Sequence, residues 1–204
     1  INTLPIPDFV RMSGAPSHIL SAASQLQCTS LTIVNIVGER STPAKYNWLY
    51  VYDEEYLSTR VSFVETLSKN NVANDKVALQ IEVYDKGDQA YSEEEIKNRV
   101  SKEAIEQGWI ESISDVMYQR IEYANVVSGI DRRANLDVVL DWLCQYGLVR
   151  EHNDLEMVDD WQGPPQNSLG EIINIGRFAQ WKYYWTDDCV MRAKNIAHRI
   201  QRDF

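Results

Sequence analysis

GRFAQWKYYWTDD, residues 176–188, sets a glycine, an arginine, a run of aromatic rings and two acids directly before a segment of helical periodicity. It follows the apolar run EIINIG (171–176), read as a short strand. It precedes DDCVMRAKNIAHRI, where Val190, Ala193, Ile196, Ala197 and Ile200 recur at helical spacing and are expected to face inward. A strand ending in glycine, a turn, and a helix opening on Asp187 and Asp188 can present backbone N–H groups to an anion or a polarised carbonyl. Arg177 could pair with a phosphate through its planar fork, and Trp181, Tyr183, Tyr184 and Trp185 offer flat faces to a ring. The same residues have plainer uses: an acid at a helix start is a cap, aromatics fill cores, and an arginine after a glycine pairs at the surface. Spacing alone leaves both readings open.

Working back along the chain, PSHILSAASQL (16–26) reads as a short helix with Ile19, Ala22, Ala23 and Leu26 on one face. SLTIVNIV (30–37), NWLYVY (47–52), TRVSFVE (59–65) and VALQIEVY (77–84) are β-rich runs separated by turn-forming or charged residues. In the last, Leu79, Ile81 and Val83 alternate with Gln80 and Glu82, the pattern of a half-buried antiparallel strand. SEEEIKNRVSKEAIEQG (92–108) has a serine cap, acids in its first turn and a closing glycine, and reads as a helix. A further strand, VMYQRIEYANVV (116–127), precedes a helix over 132–147 with Leu136, Val139, Leu140, Leu143 and Cys144 on one face. Residues 149–170 are acidic, hold Pro164 and Pro165, and read as a loop. The order implies an α+β fold: a mixed, largely antiparallel sheet with flanking helices.

The chain has 204 residues, enough for a substantial core, and one domain is the default expectation. Thirty acidic against twenty basic residues, a formal charge of −10, argue against nucleic acid or an anionic membrane as the main partner. Cys28, Cys144 and Cys189 lie far apart and form neither a CxxC pair nor a zinc spacing, which fits a reducing cytoplasm. No apolar run approaches the roughly twenty residues of a membrane span. His18, His152 and His198 fall on a helix start, an acidic loop and the terminal helix, so no catalytic residue and no metal site is assigned. The opening INTLPIP, extended in character and starting at Ile1, reads like the middle of a protein.

GRFAQWKYYWTDDCVMRA resembles the C-terminal flavin-binding signature of the FAD-dependent protoporphyrinogen oxidase and amine oxidase superfamily, and especially of UDP-galactopyranose mutase and its relatives. INTLPIPDFV is similar to the segment that leaves the FAD domain for the substrate domain. NWLYVYDEEYLSTRVSFVETLS is similar to an aromatic strand, turn and TR-apolar-S-F strand of that family. Residues 149–169 depart from it as an insertion. The resemblance implies that 1–204 is a substrate-binding domain whose last part, about 170–204, contacts FAD. By it, Gly176 and Arg177 meet the pyrophosphate region, Asp187 and Asp188 approach the ribityl chain and pyrimidine edge, and Trp181 and Tyr183 line the isoalloxazine pocket. Arg60 is the candidate for a substrate phosphate or carboxylate, with Tyr123 and Asn125 as further pocket candidates; an exposed strand arginine and core packing are their plainer readings.

None of the nine glycines makes a GxG, so the strand-turn-helix cradle for the ADP half of FAD is absent, and the chain is not expected to hold FAD alone. The expected partners are a small-molecule substrate, a sugar nucleotide in the favoured reading, and an N-terminal FAD domain of the same protein. If the likeness is to the mutases, reduced flavin acts as nucleophile at an anomeric carbon in polysaccharide or lipopolysaccharide synthesis. If it is to the oxidases, flavin accepts a hydride. A non-enzymatic α+β binding module stays open, as does a family fold that has lost its flavin, because Trp185 and Thr186 stand where many relatives carry other residues.

Overall fold

The computed structural model describes residues 1–72, 76–85, 91–157 and 169–203. The fold is α+β, and the chain divides into two compact units: Ile1–Cys28 with Asn125–Phe204, and Thr29–Ala124.

The second unit is built on a five-stranded sheet of β1 (Cys28–Glu39), β2 (Trp48–Tyr50), β3 (Arg60–Phe63), β4 (Val77–Asp85) and β5 (Ser112–Val126) in the order β2-β3-β4-β1-β5. β1 with β4, β4 with β3, and β3 with β2 are antiparallel. Bonds from Glu111 N–H to the Glu39 carbonyl and from the Ser114 hydroxyl to the Val37 carbonyl set β5 antiparallel to β1. Because side chains alternate across a strand, one register row, Leu49, Val61, Ile81 and Val34, points into the core. There it meets Ile96, Val100 and Ala104 of α4 (Glu93–Glu106). The next row, Tyr50, Arg60, Glu82 and Ile33, stands on the other face.

The alternation expected for β4 holds for Leu79, Ile81 and Val83 but not for Glu82, which is 4% exposed. Its carboxylate is paired with Arg60, and the pair allows the charge to be buried. α4 begins on a capping box in which the Ser92 hydroxyl accepts from Glu95 N–H and Glu95 accepts from Ser92 N–H. On its inner side, buried Glu103 accepts from Leu57 N–H at 2.8 Å, Ser58 N–H at 3.1 Å and the Ser58 hydroxyl at 2.6 Å, fixing the loop that leads into β3. Only Arg60–Phe63 of the TRVSFVE run is strand; Val64–Leu67 is a helical turn, α3.

The first unit is mainly helical. The opening is extended only to Pro5, after which Ile6–Met12 forms α1 with Pro7 in its first turn, where a missing N–H costs nothing. α1 packs on α2 (Ser17–Ser24), and α2 on α5 (Arg132–Cys144). Leu136, Val139, Leu140 and Leu143 are buried as their spacing predicts. EIINIG is not a strand: it makes two isolated parallel bridges, Leu148 with Ile172 and Asn2 with Asn174.

α6 (Thr186–Asp203) is helical as predicted but turned. Ile196 and Arg199 are buried and Arg192 half-buried, while Val190, Ala193 and Ala197 of the predicted inward stripe are exposed. Arg192 can lie inward because both its terminal nitrogens meet the Glu151 carboxylate. Of the 149–170 segment, residues 158–168, with both prolines, lie outside the described residues.

Two outcomes test the second unit. A Cβ at Gly38 would stand 1.8 Å from the Ser112 carbonyl oxygen and 2.7 Å from Ile110 Cδ1, so Gly38→Ala is expected to cost on the order of 2–3 kcal/mol in denaturant unfolding. Hydrogen bonds from the Ser92 hydroxyl and backbone hold the Glu95 carboxyl below its usual pKa. Its stabilisation is therefore present above the ordinary carboxylate range and lost as pH falls through it. Ser92→Ala is expected to lower the melting temperature at pH 7 by an amount that shrinks on acidification, read by melting curves across pH.

Candidate functional site

The corner at 176–188 is built from backbone conformations the sequence marks only in part. Gly176 has φ +104°, which a side chain disfavours, and nothing lies within 4 Å of where its Cβ would be. It opens a tight turn: Gln180 N–H donates to the Gly176 carbonyl at 3.0 Å, and Lys182 N–H to the Arg177 carbonyl at 2.9 Å. Ile6 N–H donates to the Phe178 carbonyl, tying the turn to the start of α1.

Trp181 has φ +52°, unusual for a residue with a side chain. The strain is met from below. Arg132, 5% exposed at the start of α5, donates through Nε and Nη2 to the Trp181 carbonyl and through Nη1 to the Leu155 carbonyl at 2.8 Å. Burial, then the neighbouring Arg133, push the Arg132 pKa down, so its charge is carried at a cost that these carbonyls offset. The left-handed residue turns the chain so that Lys182 and Tyr184 are buried while Tyr183 and Trp185 are exposed.

Arg177 does not project freely from the turn. Its Nε donates to the Tyr184 carbonyl at 2.5 Å, its Nη1 to Asn125 Oδ1 at 2.8 Å, and its guanidinium lies over the Tyr183 ring, 5.8 Å from the centroid. The positive charge is thereby placed at one position behind Tyr183. α6 starts just beyond, and Asp188 turns its carboxylate back to accept from Trp185 N–H at 2.5 Å. Asp187 is exposed in the first turn. An 18-residue helix, whose first N–H groups have no partner within it, thus begins directly after exposed Tyr183 and Trp185 and the Tyr184 carbonyl that holds Arg177.

Of the residues singled out by sequence, Gly176, Arg177, Tyr183 and Asn125 come together here, with Asp187 and Asp188 on the adjoining helix. Trp181 is 0% exposed, packed edge-on against Phe178, so its indole acts through its neighbours. Arg60 and Tyr123 belong to the other unit. Arg60 pairs with Glu82; burial opposes its charge, but Glu82 and Tyr50 more than compensate, and its pKa is raised. Its Nε is buried with no partner among the described residues. Tyr123 is half-buried on β5. The sequence reading missed Arg132, whose RRAN context looks like an ordinary charged helix start. It also missed a cleft of the first unit lined by Leu140, Glu151, Asn174, Gln180, Lys182 and Arg192. Among the described residues no cluster of His, Cys, Asp and Glu is placed to hold a metal ion, and no helix is long and apolar enough to cross a membrane.

No family model matches the chain, and no curated protein matches it in sequence. Solved structures do. The crystal structure of reduced UDP-galactopyranose mutase superposes with a TM-score of 0.68 at 17% identity, over 89% of this chain and 36% of that one. The chain has the fold of a segment of UDP-galactopyranose mutase. A putative protoporphyrinogen oxidase from Exiguobacterium sp. 255-15 superposes with a TM-score of 0.55 at 18% identity, over 71% of this chain and 33% of that one. Both of these structures bear names that the motif at 176–193 suggests. The chain spans only 36% and 33% of these proteins, and at such identities the likeness is one of fold.

Arg132→Lys keeps the charge but lacks the planar fork that reaches the Trp181 and Leu155 carbonyls together. We expect a loss on the order of 2–3 kcal/mol in denaturant unfolding, and a change in near-ultraviolet circular dichroism as the Trp181 turn relaxes.

Proposed function

We propose that the chain is the C-terminal, substrate-binding and flavin-contacting part of an FAD-dependent enzyme. The observation that carries this is the corner at 176–188, where a positive-φ glycine, a guanidinium clamped by Tyr184 and Asn125, exposed Tyr183 and Trp185, and the start of α6 converge. The donor set suits the group. Backbone N–H groups at a helix start and a fixed arginine complement phosphate and ring-carbonyl oxygens, exposed rings suit a flat heterocycle, and the open space beside Gly176 admits close approach. Gly176, Arg177, Asp187, Asp188 and Tyr183 would hold FAD, and Trp181 would support them from within. The main pyrophosphate cradle would come from an upstream nucleotide-binding part.

Flavin supplies a nucleophile in a mutase and a hydride acceptor in an oxidase. Of the two we favour a mutase-like enzyme acting on a sugar nucleotide in surface-glycan synthesis, in a reducing cytoplasm. Exposed rings on the sheet face opposite the core support a sugar-nucleotide ligand. Trp48, Tyr50 and Tyr84 expose rings there beside Arg60, a surface suited to stacking a base or sugar against a cation that reads a phosphate. Tyr123 and Asn125 are the further substrate contacts of this reading. The oxidase reading is supported by the protoporphyrinogen oxidase neighbour, at a lower TM-score.

The test is the visible spectrum of the protein expressed from its complete reading frame, beside that of the 204-residue chain. We expect flavin bands from the complete protein and none from the chain alone. Arg177→Leu should lower the flavin-to-protein ratio at least about tenfold at limiting FAD, the scale of one charge-assisted contact. No flavin in the complete protein after added FAD would sink the reading. If flavin is present, interconversion of pyranose and furanose sugar nucleotides by the reduced protein would select the mutase branch.

A further inference from the structure

Beside the Arg60 row on the sheet of the second unit runs another outward row with a different chemistry. Trp48 stands opposite Ser62, Ser62 opposite Gln80, and Gln80 opposite Asn35, so β2, β3, β4 and β1 each give one residue in register. Alternation along the strands puts this row on the same face as Tyr50, Arg60 and Glu82, opposite the core. Trp48 is 52% exposed at the sheet edge, and Ser62, Gln80 and Asn35 are half-buried behind it. Among the described residues, the side chains of these three make no hydrogen bond. A hydroxyl and two carboxamides, each able both to donate and to accept, are therefore lined up for hydrogen bonds from outside the protein. Contact with water alone does not explain the composition. At the outward positions that β1, β4, β3 and β2 share in register, the only charges are Arg60 and Glu82, which pair with each other, although 25% of the chain is charged. A sheet face that only meets water takes lysine and glutamate freely.

We propose that Ser62, Gln80 and Asn35 are specificity-determining residues that read the hydroxyl groups of a neutral sugar ring beside the phosphate position at Arg60; the proposal rests on the sugar-nucleotide reading above. Hydroxyls donate and accept in the same way as the groups of this row, so they can be matched one to one without any charge. The exposed indole of Trp48 offers a flat apolar surface to the ring itself. A phosphate would want a cation here, and the row has none. The dimensions agree. Two interstrand steps carry the row from Ser62 to Asn35 over about 10 Å, the breadth of a hexose with its hydroxyls. Same-face neighbours along a strand are about 7 Å apart, so the row lies within reach of the ring of a glycosyl phosphate held at Arg60. The two rows thus divide the ligand between them, one taking its charge and the other its hydroxyls. A site that hydrogen-bonds a hydroxyl also rejects a ligand lacking it, because the protein group is then left unpaired.

The experiment is titration calorimetry on the protein expressed from its complete reading frame and supplied with FAD. The probes are UDP-glucose, UDP-galactose and GDP-mannose, each beside its nucleoside diphosphate. Wild type is compared with Gln80→Met, which keeps the size and removes the amide, and with Asn35→Leu and Ser62→Ala. We expect Gln80→Met and Asn35→Leu to weaken the tightest sugar nucleotide about tenfold, and Ser62→Ala by less, with the matching nucleoside diphosphate bound within about twofold of wild type. Retained diphosphate binding also reports that each variant is folded. Arg60→Leu should weaken both ligands. Sugar-nucleotide binding unchanged in all three row variants would overturn the proposal. Equal loss of both ligands in variants that keep the wild-type melting temperature would also overturn it, by assigning the row to the nucleotide. A wild-type protein that binds no sugar nucleotide and no nucleoside diphosphate rejects the sugar-nucleotide reading and the proposal together, whereas one that binds both, with row variants indistinguishable from it, rejects the proposal alone.

Discussion

A single buried guanidinium conditions the candidate site. Without Arg132 donating to the Trp181 carbonyl, a tryptophan would have no reason to stay in the left-handed region, a conformation that costs of order 1–3 kcal/mol outside glycine. That one residue sets the handedness of the turn, and hence which of the following four side chains point in. Lys182 and Tyr184 go to the interior, and Tyr183 and Trp185 to the surface. Arg177 then fastens the outgoing limb by taking the Tyr184 carbonyl. The two arginines do opposite jobs on the same loop, one supporting it from beneath and one fixing charge at its rim.

The sheet unit solves a different problem with acids. Glu103 is buried on α4 because three donors from the loop before β3 converge on it, and Glu82 is buried on β4 because Arg60 lies opposite in register. Removing either partner would leave a desolvated carboxylate, which is more costly than losing a surface pair. Between them these acids hold β3 at both its approach and its flank, so Arg60 is presented from a rigid strand.

Periodicity made the helices and most strands legible. Leu136 to Leu143 and the Ser92 cap were readable because hydrophobic spacing and capping are local, and local signals survive folding. EIINIG failed for the opposite reason. A strand needs a partner of comparable length, and here the partners are single residues, Leu148 and Asn2, far away in sequence. α6 misled in a more informative way: Val190, Ala193 and Ala197 were read as inward and are exposed, because Ile196, Arg199 and Arg192 take the inner side, the last through a long-range pairing with Glu151 that no local pattern reports. The corner at 176–188 was recognisable as a candidate from Gly176 and its aromatics, whereas the roles of Asn125 and Arg132 depend on contacts across about fifty residues and leave no trace in composition.

The bridge between Asn2 and Asn174, reinforced by a 3.0 Å bond between their side-chain amides, has a bearing on how the molecule comes into being. It makes the helical unit discontinuous, assembled from both ends of the chain around an intervening segment that forms the sheet unit. Residues 29–124 are complete as soon as they leave the ribosome and can fold during synthesis, but residues 1–28 must wait for their partners beyond position 125. Closing so long a loop is slow. During that interval the face of α2 that packs on α5 is uncovered.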